Sequence, residues 1–310
     1  MRTNTIKGQN ITILSLGTVQ LGMDYGIHNA SGKPSLETAF QILDAAMAAG
    51  INTLDTAASY GNSEEVIGAW LRTVPAEKRP FIVTKAAKLD HSSLDALRTD
   101  LRTRVENAKK RLGLSQLPML MLHNCEDYLC DKNNVRTVFE ELKASGDICF
   151  SGISAYSDHD YGILAESGFD AVQIPVNIFD WSQIENGGLQ KLKDSGMMVF
   201  VRSVYLQGLV FQDPDTLPER MAFCKETLTK FRTLCHKYQL SPATLALSYA
   251  LSLPGVTSLV LGSETVEQVR QNAQLLSHTV TLTPDQMSEI RENFLHTDPH
   301  ILNPGTWPKA

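Results

Sequence analysis

Four side chains of this sequence have the types and spacing to act together as one proton donor. Asp55 follows the run Ile51-Asn52-Thr53-Leu54, Lys85 follows Phe81-Ile82-Val83-Thr84, and His123 follows Met119-Leu120-Met121-Leu122. Tyr60 lies five residues beyond Asp55, in a loop that ends at Ser63-Glu64-Glu65, a helix start. A phenol, with an ordinary pKa of about 10, exchanges its proton near neutrality only where a cation and hydrogen bonds stabilise the phenolate. Lys85 supplies the cation, and Asp55 would keep that ammonium charged and aimed at the Tyr60 oxygen. His123 would put a second polar group beside the same substrate oxygen. The chemistry is protonation of a carbonyl. Each residue alone has an ordinary alternative: a helix cap for Asp55, half-buried packing for Tyr60, a solvated Lys85, a satisfied core imidazole for His123. It is their coincidence at consecutive strand ends that favours a site.

Those ends must meet at one place, and the periodicity of the chain supplies the means. After a hairpin-like opening (residues 5–7 and 11–14 around Gly8-Gln9-Asn10), strand-length apolar runs alternate with stretches of helical period. Eight such runs are expected as buried strands, at 16–18, 52–54, 81–84, 119–122, 149–153, 171–174, 198–201 and 258–261. Helices are expected between them, at 36–49, 64–71, 93–112, 135–144, 161–166, 189–194, 218–238 and 266–276. Gly50, Gly113, Gly146, Gly168 and Gly196 stand where helices should stop. Eight β/α units without a linker of shifted composition fit one α/β domain over residues 1–310: a (β/α)8 TIM barrel with an N-terminal β-hairpin. Extra C-terminal helices are expected near 243–253 and 284–294. A doubly wound sheet is the alternative, but no G-x-G-x-x-G follows the first strand.

At these same residues the sequence resembles the aldo-keto reductase family. The likeness runs through Leu16-Gly17-Thr18 and Gly22, then Gly50-Ile51-Asn52-Thr53-Leu54-Asp55-Thr56-Ala57-x-x-Tyr60-Gly61, then Thr84-Lys85 and Leu122-His123. It implies an NAD(P)H-dependent reductase on a (β/α)8 barrel, with Asp55, Tyr60, Lys85 and His123 as the tetrad and Tyr60 as the acid. Gly17, Thr18 and Asp55 would border the coenzyme. Gly152-Ile153-Ser154 and Gln173 with Asn177 resemble the motifs whose Ser and Gln hydrogen-bond the nicotinamide carboxamide, although Ala155 replaces the Asn expected beside Ser154.

Arg202-Ser203-x-x-x-Gln207-Gly208 takes the place of an aromatic residue followed by Ser-Pro-Leu. By position Arg202 would stack on the nicotinamide ring, and the loop at Gly208 would cover the pyrophosphate. Gly262-Ser263-Glu264-Thr265-Val266-Glu267-Gln268-x-x-x-Asn272 resembles the segment that binds the adenosine end, and its Thr265-x-x-Gln268 also reads as a capping box. Classical members carry Lys and Arg where this chain has Gly262 and Gln268. Gln at the second position resembles other NADPH binders, which favours NADP(H) over NAD(H). Substrate would be walled by Met23, Tyr25, Tyr128 and Trp181, with His300 or Trp307 from the tail, a mixture suited to a small sugar-like or aryl carbonyl compound.

Composition narrows the alternatives. With 28 Lys+Arg against 34 Asp+Glu, the formal charge is -6 and no basic run tracks a nucleic acid backbone. No apolar stretch approaches a membrane span, and residues 1–10 lack a signal peptide's apolar segment, so a cytoplasmic protein is expected. Five cysteines without a C-x-x-C pair argue against a disulfide framework. His123, Cys125 and Cys130 lack a fourth metal ligand, and Lys85 beside Asp55 and His123 would repel a metal. The rival within the same barrel is a slow-turnover nucleotide-binding regulatory or redox-sensing subunit, as the potassium-channel β subunits of the family are.

Overall fold

The computed structural model describes residues 1–25 and 32–308. It opens with an antiparallel hairpin, β1 (Thr3–Ile6) and β2 (Gln9–Thr12). The turn is the pair Lys7-Gly8, both at positive φ (49° and 77°), which matches the twist of the paired strands. The hairpin therefore sits nearer the N-terminus than the expected 5–7 and 11–14, and Leu14 belongs to the barrel instead. Eight parallel strands follow: β3 (Leu14–Gly17), β4 (Thr53–Asp55), β5 (Phe81–Ala86), β6 (Leu117–Leu122), β7 (Ile148–Ser154), β8 (Ala171–Pro175), β9 (Met198–Arg202) and β10 (Val256–Gly262). They pair in sequence order, and β10 closes on β3 through Leu259↔Leu14 to Gly262↔Gly17. The (β/α)8 barrel is thus observed.

The hairpin plugs one end of it. Ile11 is fully buried with Val83, Met119, Met121, Ala171, Met198 and Phe200, the apolar filling of the barrel's interior. Asn4 Nδ2 donates to Thr257 O at 2.7 Å and Thr12 N donates to Asn52 Oδ1 at 2.9 Å, which fixes the plug to the strand starts. The open end is left to the C-terminal ends of the strands, where barrel chemistry is placed.

A second, larger apolar cluster joins the outer faces of the strands to the helices. Helix starts are written in the sequence as Ser35, Ser93, Ser241 and Thr283, each accepting a backbone N–H three residues on. Gly113 closes the helix Leu94–Leu112 at φ 68°, and the other four anticipated glycine stops also take positive φ. The expected helix at 218–238 divides into a 3-10 segment, Glu219–Cys224, and an α-helix, Lys225–Tyr238. Pro242–Ser252 and Pro284–Phe294 are the additional helices. Among the described residues no helix is long and apolar enough to cross a membrane.

Candidate active site

Asp55 ends β4 opposite Val83 of the adjacent parallel strand β5, and Lys85, two residues beyond Val83 on the same face, reaches Asp55 at the barrel mouth. Lys85 Nζ stands 2.6 Å from Asp55 Oδ1 and donates to Thr56 O at 3.0 Å. The pair is almost wholly shielded, with side-chain exposures of 0% and 5%, and a charge so placed requires its partner. Gln173, from β8, donates Nε2 to the same Asp55 oxygen at 2.7 Å. The ammonium lies 5.2 Å from the centroid of the Tyr60 ring, so it reaches the phenol over the ring face.

Tyr60 is held by close backbone packing. A Cβ on Gly22 would overlap the Tyr60 carbonyl, and one on Gly61, at φ +56°, would overlap the Gly22 carbonyl. The segment Val19–Gly22 and the loop carrying Tyr60 therefore meet backbone to backbone. Thr18, a candidate coenzyme residue, joins them: its hydroxyl donates to Asp55 O, and Ser63 Oγ donates to Thr18 O, both at 2.9 Å. Burial raises the Tyr60 pKa, countered by Lys85, so the phenol carries its proton and can give it.

His123 meets Tyr60 edge to face at 5.5 Å. Burial, reinforced by the Lys85 charge, lowers its pKa to about 4, which makes it a neutral imidazole near pH 7. Its Nδ1 is 3.1 Å from Ser59 Oγ. Sequence reasoning passed over Ser59, whose only signal was its place next to Tyr60.

The remaining candidates divide. Ser154, Gln173 and Asn177 are buried at the mouth; Asn177 Oδ1 accepts Phe179 N at 3.0 Å. Ala155 adds no amide, but its carbonyl accepts from Arg202 Nη2 at 3.1 Å. Arg202 lies over the ring of Tyr156, with its Cζ 4.7 Å from the centroid, so the guanidinium packs against a tyrosine of the same chain. Ser203, Gln207 and Gly208 all take positive φ in the loop after β9. At the end of β10, Asn272 Nδ2 donates to Ser263 Oγ at 3.3 Å, Thr265 Oγ1 accepts Gln268 N at 3.1 Å, and Gln268 Oε1 accepts Glu264 N at 2.7 Å. Gln268 thus ties down its own turn. Gly262 leaves room that the Gln20 amide fills, and Gln20 Oε1 is a buried acceptor without a partner among the described residues.

Of the residues expected to wall the substrate, Met23 and Tyr25 are exposed. Tyr128 and Trp181 are not free walls; they pack in the core, against Phe169 and Tyr249, and Trp181 Nε1 donates to Ile178 O. In the tail, the His300 ring packs against Phe223 at a tilt of 46°, and its carbonyl accepts from Trp307 Nε1. Among the described residues no group of three or more His, Cys, Asp and Glu side chains is placed to hold a metal.

This mouth suits a nicotinamide coenzyme. With Gln173 Nε2 donating to Asp55, the acceptor end of that amide is the part left for a ligand, and Gln20 Oε1 is a buried acceptor without a partner among the described residues. Comparison with known proteins gives the same direction. The chain is 28% identical over 260 residues to the NADH-specific methylglyoxal reductase of Escherichia coli (strain K12), covering 74% of this chain and 79% of the relative. It is 25% identical to a D-threo-aldose 1-dehydrogenase of Pseudomonas sp over 77% of this chain and 83% of that one. A holo-form aldo-keto reductase of Bacillus halodurans superimposes with a TM-score of 0.75 at 22% identity, over 95% of this chain and 96% of that one, a likeness of fold. The profile of the Aldo/keto reductase family matches residues 13–293. With its strand ends, its buried ion pair and nearly its whole length accounted for in this way, the chain belongs to the aldo/keto reductase family and is an NAD(P)H-dependent oxidoreductase.

Proposed function

We propose that the protein reduces a small aldehyde or ketone, sugar-like or aryl, with Tyr60 as general acid. The observation that carries this is the shielded Lys85–Asp55 pair against the face of a protonated Tyr60. When bound, the reduced coenzyme supplies a hydride to the carbonyl carbon. The chain's own work is on the oxygen. As negative charge develops there, Tyr60 gives up its hydroxyl proton, and Lys85 stabilises the phenolate left behind. Asp55 keeps the ammonium in place, and neutral His123 offers the same oxygen a further hydrogen bond. Ser154 and the Gln173 Oε1 hold the carboxamide; Gly17, Thr18, Ser203, Gln207, Gly208, Gly262, Ser263 and Asn272 border the rest of the coenzyme. In the oxidative direction the Tyr60 phenolate takes the proton back.

For the coenzyme, Gln268 is the residue that favours NADP(H). Fluorescence titration with NADPH and with NADH reads that preference, and a lower Kd for NADH reverses it. The function itself is tested with an aldehyde panel followed at the nicotinamide absorbance, for the native chain and for Tyr60→Phe. The native chain should consume coenzyme, and Tyr60→Phe should bind it while losing hydride transfer. Normal turnover by that variant overturns the role of Tyr60.

A further inference from the structure

Among the described residues, Arg202 has no aspartate or glutamate within ion-pair distance, although it is a half-buried cation at the C-terminal end of β9. Its neighbours are neutral: the Ala155 carbonyl at 3.1 Å, Ser203 Oγ at 3.3 Å and the Tyr156 ring. A guanidinium has five N–H donors, and these contacts occupy two of them. The Tyr156 ring packs against the group without taking a hydrogen bond from it, which leaves three of its N–H donors without a protein partner among the described residues.

The charge of Arg202 is felt where the reaction occurs. It lowers the pKa of both Tyr60 and His123, which places it close to the two groups that meet the substrate oxygen. Lys85 and Asp55 cancel each other, and Tyr60 and His123 are neutral, so Arg202 leaves this cluster with a net positive charge. The whole chain carries -6. A positive recess in a negative protein draws anions selectively toward that recess.

We propose that Arg202 is a substrate-recognition residue and that the site takes carbonyl compounds bearing a carboxylate. The two oxygens of a carboxylate match the edge of a guanidinium in a bidentate pair, which supplies both orientation and binding. The partner missing from the protein arrives on the substrate. This assignment rests on the carbonyl-reducing reading of the site and adds the chemical class of what is reduced.

Two measurements keep the proposal separate from that reading. The first needs no turnover: calorimetric titration of the coenzyme-loaded protein with benzoate and with benzamide. Benzoate should bind at least about tenfold more tightly, and Arg202→Met should remove the difference. The second compares kcat/KM for 4-carboxybenzaldehyde with that for 4-carbamoylbenzaldehyde. The ratio should favour the acid by about tenfold in the native chain, approach one in Arg202→Met, and be partly restored by Arg202→Lys. Equal binding of benzoate and benzamide by the native chain overturns the proposal. So does an unchanged ratio in Arg202→Met accompanied by a tenfold rise in coenzyme Kd, which would assign Arg202 to the coenzyme. Absence of turnover with every aldehyde would count against carbonyl reduction alone, and the benzoate comparison would still decide the role of Arg202.

Discussion

Gln173 Nε2 and Lys85 Nζ converge on one oxygen of Asp55, at 2.7 and 2.6 Å. The amide of β8 is thereby locked in orientation and tied to the ion pair between β4 and β5, across the barrel. A residue proposed to hold the coenzyme thus also touches the proposed proton-donating set. Gln173→Met should therefore weaken two properties at once. Loss of a buried hydrogen bond to a charged acceptor costs about 2 kcal/mol of folding stability, and loss of the carboxamide acceptor raises the coenzyme Kd by about tenfold. Urea unfolding and coenzyme titration read the two effects. A variant with weaker coenzyme binding and native stability would mean that the Asp55 contact contributes nothing.

His123 bears on pH. Its folded-state pKa is about 4 against an ordinary 6.5, so between these values the unfolded chain takes up a proton that the folded chain refuses. The contribution to stability is complete above about pH 7 and is lost as pH falls toward 4, by up to about 3 kcal/mol. His123→Gln should flatten this part of the dependence between pH 7 and 5 in urea unfolding. The same depression predicts that kcat/KM has no limb near pH 6.5 from this group. An inflection there that vanishes in His123→Gln would show an imidazole that titrates normally.

The positions of Asp55, Lys85 and His123 were legible because in a parallel barrel the strand end alone determines where a residue goes. Rotamer-dependent contacts were not legible. Nothing in the sequence says that Gln173 turns its amide to Asp55, that Arg202 lies on Tyr156, or that Ser59 meets His123. Tyr128 and Trp181 follow strands β6 and β8 as wall residues should, yet a position after a strand carries no side-chain direction, and both turn inward. The hairpin slipped for a related reason: Lys7 at positive φ gives the turn none of the usual Asn-Gly signal.

Gly22 gives a backbone test of how Tyr60 is held. A Cβ there meets the Tyr60 carbonyl and the Ser63 backbone, neither of which can rotate away. Gly22→Ala should cost on the order of 3 kcal/mol and displace the loop that carries Tyr60, so turnover falls by more than the loss of folded protein explains. Thermal unfolding alongside kcat, corrected for the folded fraction, separates the two. A variant of native stability and native kcat would show that the loop is free to move aside.

Glu64 lies behind β5, the strand that carries Lys85, and tests what supports that lysine from outside the barrel. Its side chain is 2% exposed, and its two oxygens are divided between Arg111 Nε and Thr84 Oγ1, each at 2.5 Å. Thr84 is the residue before Lys85, so the arrangement links the helix Leu94–Leu112 to the strand that presents the ammonium. Arg111→Met leaves a buried carboxylate with one hydroxyl for company and should destabilise by about 3 kcal/mol, the lower part of the usual range because Arg111 is partly exposed. The double variant Glu64→Met with Arg111→Met removes the uncompensated charge along with its partner and should recover most of that loss. Urea unfolding of the two single variants and the double variant closes the cycle. If Arg111→Met alone costs less than about 1 kcal/mol, the range of an exposed pair, water reaches Glu64 and the pair is not a structural support.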